Sequence, residues 1–166
     1  RISRPLKVDK VEKNLRWLRD ETEVHLHTDL IVGLPGESLE SFGRGFDQLL
    51  ALRPHEIQVG ILKRLRGTPI VRHTEQYELA FSTRPPYEVL QTREIGFLDM
   101  QRLKRFARAW DLVSNRGQFP RTRALVLGDT PFERFLSFSD WLGGEVGAIY
   151  QVALPRLAEL LLRWLI

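Results

Sequence analysis

A chain of 166 residues, 43% apolar and 28% charged, has the composition of a soluble globular protein of one ordinary domain or two small ones. It contains no cysteine, which excludes disulfides, thiolate zinc sites and any cysteine-held iron–sulfur cluster within these residues. The net charge is only +4, no apolar run is long enough to span a bilayer, and Arg-Ile-Ser-Arg-Pro at the start lacks the apolar core of a signal peptide. Neither a nucleic-acid nor a membrane partner is therefore expected, and the location expected is cytoplasmic.

In chain order, a start at Arg rather than Met reads as a piece of something longer. Lys7 to Asp20 then carries Val11, Leu15 and Leu18 at helical spacing, with Trp17 beside them. The central stretch is Val24 to Ser38, a strand that ends in a glycine-proline turn and feeds a helix. Alternation puts Val24, Leu26, Leu30 and Val32 on one face, and His25, His27, Asp29 and Ile31 on the other. A parallel sheet or barrel covered on its outside has both faces occupied, and a polar inner face suggests a ligand-holding lumen. Gly33-Leu34-Pro35-Gly36 turns the backbone, and Ser38 is the expected N-cap of a helix from Leu39 to Leu52, stopped by Arg53-Pro54. Glu56 to Leu62 reads as a second, parallel strand, with Gln58 and Gly60 sharing the inner face with Asp29 and Ile31.

Arg66-Gly67-Thr68-Pro69 is a turn, the run to Pro86 looks irregular, and Pro85-Pro86 marks a boundary. Beyond it the pattern predicts helices. Ile95, Leu98, Leu103, Phe106, Trp110 and Val113 form one stripe, closed by Asn115-Arg116-Gly117. Thr130-Pro131-Phe132-Glu133 has the form of a capping box and starts a helix expected to end at Gly143-Gly144. A last helix runs from about Pro155. The expected domains are 1–84 and 85–166.

His25, His27 and Asp29 on one face suit a metal, a proton shuttle or a substrate hydrogen bond, or are satisfied inside a polar lumen. Three ligands from one strand rarely close a coordination shell, and no metal is assigned. Gly33-x-x-Gly36 before a helix is a weak phosphate motif, without the lysine of a P-loop or the third glycine of a Rossmann fingerprint. No Gly-x-Ser-x-Gly elbow is present. Basic residues cluster at Lys63-Arg64-Leu65-Arg66, at 102–108 and at 121–123. No aromatic-basic interleaving of the RNA-binding kind accompanies them, and they read as a solvated helix face and charged loops.

Asp29-Leu30-Ile31-Val32-Gly33-Leu34-Pro35-Gly36-Glu37-Ser38 resembles the fifth-strand motif of radical S-adenosylmethionine (SAM) enzymes, especially the coproporphyrinogen dehydrogenase-like and cobalamin-binding branches. Gln58 to Leu62 and Gly67-Thr68-Pro69 resemble that family's sixth strand and following segment. The residues after Pro85 resemble the uncharacterised helical C-terminal domain of cobalamin-binding radical SAM proteins. The resemblance implies an α/β fold, the C-terminal part of a partial (β/α)₆ barrel followed by a mainly helical domain. It implies SAM as cofactor, with Arg4, Asp29, Ile31, Gly33, Leu34, Pro35, Gln58, Leu62 and Lys63 on the SAM side and His25 and His27 facing the substrate. In the intact parent a [4Fe–4S] cluster, and in one branch cobalamin, would be bound by upstream segments of the same barrel, and a 5′-deoxyadenosyl radical would form there. On this reading the chain is not active alone, and its unpartnered parallel edge makes it prone to association. The alternative is a non-catalytic α/β-plus-helical interaction module.

Overall fold

The computed structural model describes residues 7–147, 149 and 152–166. It divides into two compact units, residues 1–100 and 101–166. Arg4, one of the expected SAM contacts, lies outside the described residues.

The first unit opens with α1 (Val8–Glu21), β1 (His27–Val32), α2 (Leu39–Ala51) and β2 (Glu56–Ile61). β1 and β2 pair in parallel, with His27 opposite Glu56, Asp29 opposite Gln58, Ile31 opposite Gly60 and Val32 opposite Ile61. The expected alternation is present. Leu26 and Val32 are buried and Thr28 and Leu30 half-buried, whereas His27, Asp29 and Ile31 are exposed. The strand begins three residues later than Val24, which is itself exposed. Its start is set at Leu26, whose carbonyl accepts the N–H groups of both His55 and Glu56 at 3.0 and 3.1 Å.

α2 starts as its sequence predicts. The Ser41 N–H donates to Ser38 Oγ at 3.2 Å, and the Ser38 N–H donates to Ser41 Oγ at 2.9 Å, a reciprocal cap that satisfies two otherwise orphaned donors. The helix buries Phe42, Gly43 and Phe46 and stops as Arg53 turns left-handed (φ +53°) before Pro54. α1 buries no residue fully. Val11, Leu15 and Leu18 are half-buried, but Trp17 points to solvent and lies off the stripe.

The segment expected to be irregular is ordered. A 3₁₀ turn (Pro69–His73) leads to a hairpin of β3 (Ala80–Phe81) and β4 (Val89–Gln91). The Val89 N–H donates to the Leu62 carbonyl at 2.8 Å, which ties the hairpin to the end of β2. Ile70, Tyr77 and Leu79 form a small buried cluster beneath it, with Leu62 and Phe81 packed on its side. Among the described residues the chain forms one parallel pair and one short antiparallel pair. The fold is mixed α/β and mainly helical, and two parallel strands do not by themselves make the expected barrel.

α3 (Phe97–Trp110) carries the division between the units and widens into a π-helical turn (Asp111–Asn115), followed by α4 (Pro120–Leu127), α5 (Pro131–Val146) and α6 (Leu154–Leu165). Ile95, Leu103, Phe106, Trp110 and Val113 are buried as their spacing predicts, but Leu98 is 76% exposed. Met100 takes its place. Steps of three and four from Met100 through Leu103, Phe106 and Trp110 stay on one helical face, and Leu98 falls on the opposite one. At α5 the capping box does not form, because Thr130 makes no side-chain cap hydrogen bond, although Pro131 does occupy the first turn. The helix also passes through Gly143-Gly144 to Val146 and is capped by Gly147 at φ +68°. A Cβ on Gly143 would lie 2.8 Å from Arg105 Cδ, so that glycine serves close side-chain approach rather than helix termination. α4 was not anticipated; its eight residues are too few and too weakly amphipathic to stand out.

The core of the second unit is aromatic. The Phe135 ring lies 5.3 Å from Phe106, 5.1 Å from Trp110 and 5.4 Å from Phe138, two of these edge-on. Phe138 in turn meets Trp164 of α6 at 5.7 Å. Among the described residues no helix is long and apolar enough to cross a membrane.

Candidate functional site

The exposed face of the β1–β2 pair follows from strand geometry alone. In a parallel register, odd positions of β1 and even positions of β2 share a side, so His27, Asp29 and Ile31 stand beside Glu56, Gln58 and Gly60. Their side chains bond to one another. His27 Nδ1 lies 3.1 Å from Glu56 Oε2, and its Nε2 lies 3.2 Å from Gln58 Oε1 and 3.4 Å from Asp29 Oδ1. The hydrogen bond to Glu56, helped by the carboxylates around it, holds the His27 pKa above the usual imidazole value. Ile31 presents an exposed apolar surface among these polar groups, and nothing lies within 4 Å of where a Gly60 Cβ would be. The face is therefore open, polar at its start and apolar toward the Gly33 end.

His25 lies outside β1, just before it, and stacks on the ring of His55, centroids 4.7 Å apart. The Leu26 N–H donates to His55 Nδ1 at 2.9 Å, and Arg19 lies 3.0 Å from Nε2. Desolvation, with the Arg19 charge and His25 beside it, lowers the His55 pKa. His55 drew no claim from the sequence, yet it fixes where β1 begins. A two-strand spacing could not reveal this, because its partners lie 29 and 36 residues away.

At the C-terminal end of β1 the chain turns at Gly33 (φ +87°) and Gly36 (φ +76°). A Cβ on Gly33 would stand 2.7 Å from Val89 Cγ1 and 3.2 Å from Met100 Cε, so the missing side chain is filled by the protein's own core. Pro35 is buried and Leu34 half-buried. Leu62 donates its N–H to the Val32 carbonyl at 3.0 Å and accepts from Val89, which engages its backbone on both sides, while the Lys63 side chain is exposed.

Glu37 is the residue the sequence reading passed over. Its carboxyl sits under the turn with Oε2 buried and without a hydrogen-bond partner. Burial raises its pKa to about 7, against hydrogen bonds to the Leu34 and Gly33 backbone that favour the charged form. A carboxyl poised there can give or take a proton near neutrality. The signal available in the sequence was a charged residue placed between Gly36 and the Ser38 cap.

On the opposite side of the sheet, α1, β1 and α2 enclose an apolar hollow of about 470 Å³, lined by Val11, Leu15, Leu30 and Leu49 among others. Among the described residues no group of three or more His, Asp or Glu is placed to hold a metal ion. The chain offers no thiolate for an iron–sulfur cluster. The open face does suit part of a nucleoside cofactor, with carboxylate and amide for hydroxyl groups and Ile31 for an aromatic ring.

A family model described as "Protein of unknown function (DUF4080)" matches residues 75–151. The chain is also 36% identical over 69 residues to a protein of Pyrococcus horikoshii named "Probable threonylcarbamoyladenosine tRNA methylthiotransferase". A protein of the same name from Pyrococcus abyssi is 33% identical over 69 residues. Each match covers 41% of this chain but 16% of the relative, so the chain spans about a sixth of the length of these relatives. The matches do not single out the coproporphyrinogen dehydrogenase-like branch.

Proposed function

We propose that residues 1–100 supply one wall of a SAM site in a radical SAM protein, as the last two strands of its partial barrel. The observation that carries the reading is the open β1–β2 face, where Asp29, Ile31, Gln58 and Gly60 lie side by side above a glycine turn. Ligands of parallel α/β sheets bind at the carboxyl ends of strands, the end where Ile31 and Gly60 sit. Asp29 would accept hydrogen bonds from ribose hydroxyls, Gln58 would take either role, and Ile31 would pack on the adenine. Gly33, Leu34 and Pro35 would set the height of the turn, and Leu62 and Lys63 its far rim. His27, held by Glu56 and 3.4 Å from Asp29, would orient that carboxylate and, with His25, face the substrate. A [4Fe–4S] cluster, carried by other segments of the parent, would supply the electron that cleaves SAM. The matched relatives are named for action on tRNA, which makes RNA the substrate class to test first.

The test uses the full-length parent, reconstituted with iron and sulfide without oxygen, and follows 5′-deoxyadenosine release and SAM binding. Asp29→Ala should weaken SAM binding by about tenfold, the loss of a charged hydrogen bond. Unchanged binding would remove Asp29 from the site. No cleavage from an intact, cluster-loaded parent would favour the interaction module instead.

A further inference from the structure

The basic run Lys63-Arg64-Leu65-Arg66 has no aromatic neighbour in sequence, but the fold brings one to it. The Arg64 N–H donates to the Tyr87 carbonyl at 3.0 Å, and a bridge pairs Lys63 with Glu88. The Tyr87 N–H is itself bonded to the Arg84 carbonyl at 2.9 Å, and Tyr87 is held at φ +59°. On the other side, Thr68 closes the Leu65–Thr68 turn by donating Oγ1–H to the Leu65 carbonyl at 2.7 Å. Two loops 20 residues apart are thus pinned into one platform at the C-terminal end of β2. Between them lies a hollow of about 400 Å³ lined by Arg64, Leu65, Arg66, Gly67, Val71 and Tyr87.

The chemistry of that hollow is specific. Arg64 lies over the Phe81 ring at 5.6 Å, which orients its guanidinium without neutralising it. Arg66 is exposed. Tyr87 is 40%, Leu65 54% and Val71 53% exposed, so apolar and aromatic surface stands open between two cations. Arg72 and Arg84 flank it in the chain, and Glu88 is the acidic neighbour. Cations that track a phosphate chain beside an aromatic ring on which a base stacks are the parts of a single-strand nucleic-acid site. A closed pocket would suit a free nucleotide, but this hollow is open to solvent.

We infer that the Arg64–Arg66–Tyr87 hollow binds an unpaired segment of an RNA strand, with a base on Tyr87 and phosphates at Arg64 and Arg66. The inference deepens the proposed function and rests on it for the choice of RNA, since the platform adjoins the strand end assigned to SAM.

The experiment measures fluorescence anisotropy of a labelled ten-nucleotide oligouridylate against the full-length protein across a salt series. Wild type should bind, with affinity falling as salt rises. Tyr87→Ala should weaken binding by about tenfold, and Tyr87→Phe should restore it, because the ring and not the hydroxyl carries stacking. Arg66→Gln should lower the slope of log affinity against log salt by roughly 0.7, one phosphate contact. Both residues are exposed, so folding should survive, and circular dichroism checks it. Unchanged binding in Tyr87→Ala would overturn the inference. So would competition by inorganic phosphate or by uridine monophosphate at equal potency, which would leave an anion or mononucleotide site. SAM binding measured on the same preparations separates the two claims. Wild-type protein that binds SAM but not RNA sinks the platform alone; wild-type protein that binds RNA but not SAM sinks the SAM assignment alone.

Discussion

The two units bury their apolar residues in opposite ways. In 101–166 one aromatic cluster, centred on Phe135, unites the helices into a single core. In 1–100 the buried residues include Phe42 and Phe46 of α2, the Ile70–Tyr77–Leu79 cluster, and Val89, Ile95 and Met100, while His27, Asp29, Ile31 and Gln58 on one sheet face are exposed. A helix can enclose its apolar stripe against other helices, whereas a sheet has a second face that must be covered, wetted or used. On the exposed face of the first unit the residues are polar at the start of β1 and apolar at its end.

The sharpest way to break that contrast is to open the aromatic core. Phe135→Ala removes a ring that is fully buried and in contact with three others, so it should cost about 3–5 kcal/mol. Denaturant unfolding followed by circular dichroism and by hydrogen exchange of the α5 amides reads the loss. If the α5 amides keep their protection, the cluster is not the organising core. Gly33→Ala is the corresponding test in the first unit. It forces a side chain into φ +87°, about 1–2 kcal/mol, and drives a methyl group to 2.7 Å from Val89 Cγ1, an overpacking of about 1–3 kcal/mol. A total of about 2–5 kcal/mol is expected, with β4 amides exposed first. A substitution tolerated within 0.5 kcal/mol would mean that the turn relaxes and that the glycine is kept for something else.

These two sites also mark what could be read from the sequence. The β1 alternation, the Ser38 cap, the parallel β1–β2 pairing and the helical C-terminal half were legible, because each is a local or periodic property. What lay hidden was set by distant partners. Val89 and Met100 fill the space at Gly33, and no spacing within the motif shows it. Gly143-Gly144 looked like a helix end, but Arg105 needs the room, so the helix continues. The β3–β4 hairpin, with strands of two and three residues, is too short for any periodicity. Of the candidate site, the shared face of Asp29, Ile31, Gln58 and Gly60 was foreseen. The displacement of His25 onto His55 and the burial of Glu37 were not, since both depend on the chain folding back across β1.

Glu37 gives the smallest expected effect, and it lies in the first unit of the contrast. Its pKa is near the ordinary 4.5 when unfolded and about 7 when folded, because burial disfavours the carboxylate. Between those values the folded chain holds a proton that the unfolded chain has lost. Stability is therefore highest below pH 4.5 for this group and falls as pH rises toward 7. A shift of that size corresponds to about 3 kcal/mol, and partial solvent access should reduce the observed change to on the order of 1–2 kcal/mol. His27, whose pKa is raised by Glu56, loses its contribution above 6.5, and His55, whose pKa is lowered, acts in the opposite sense below 6.5. Comparing wild type with Glu37→Gln removes both histidines from the difference, because the amide keeps the shape and has no proton to lose. Urea unfolding from pH 4 to 8 should show the two proteins converging at low pH and the variant gaining relative stability as pH rises. Parallel curves would show that Glu37 is solvated in both states. The turn would then hold no strained carboxyl, and the first unit would be poised for chemistry at its strand face but not beneath it.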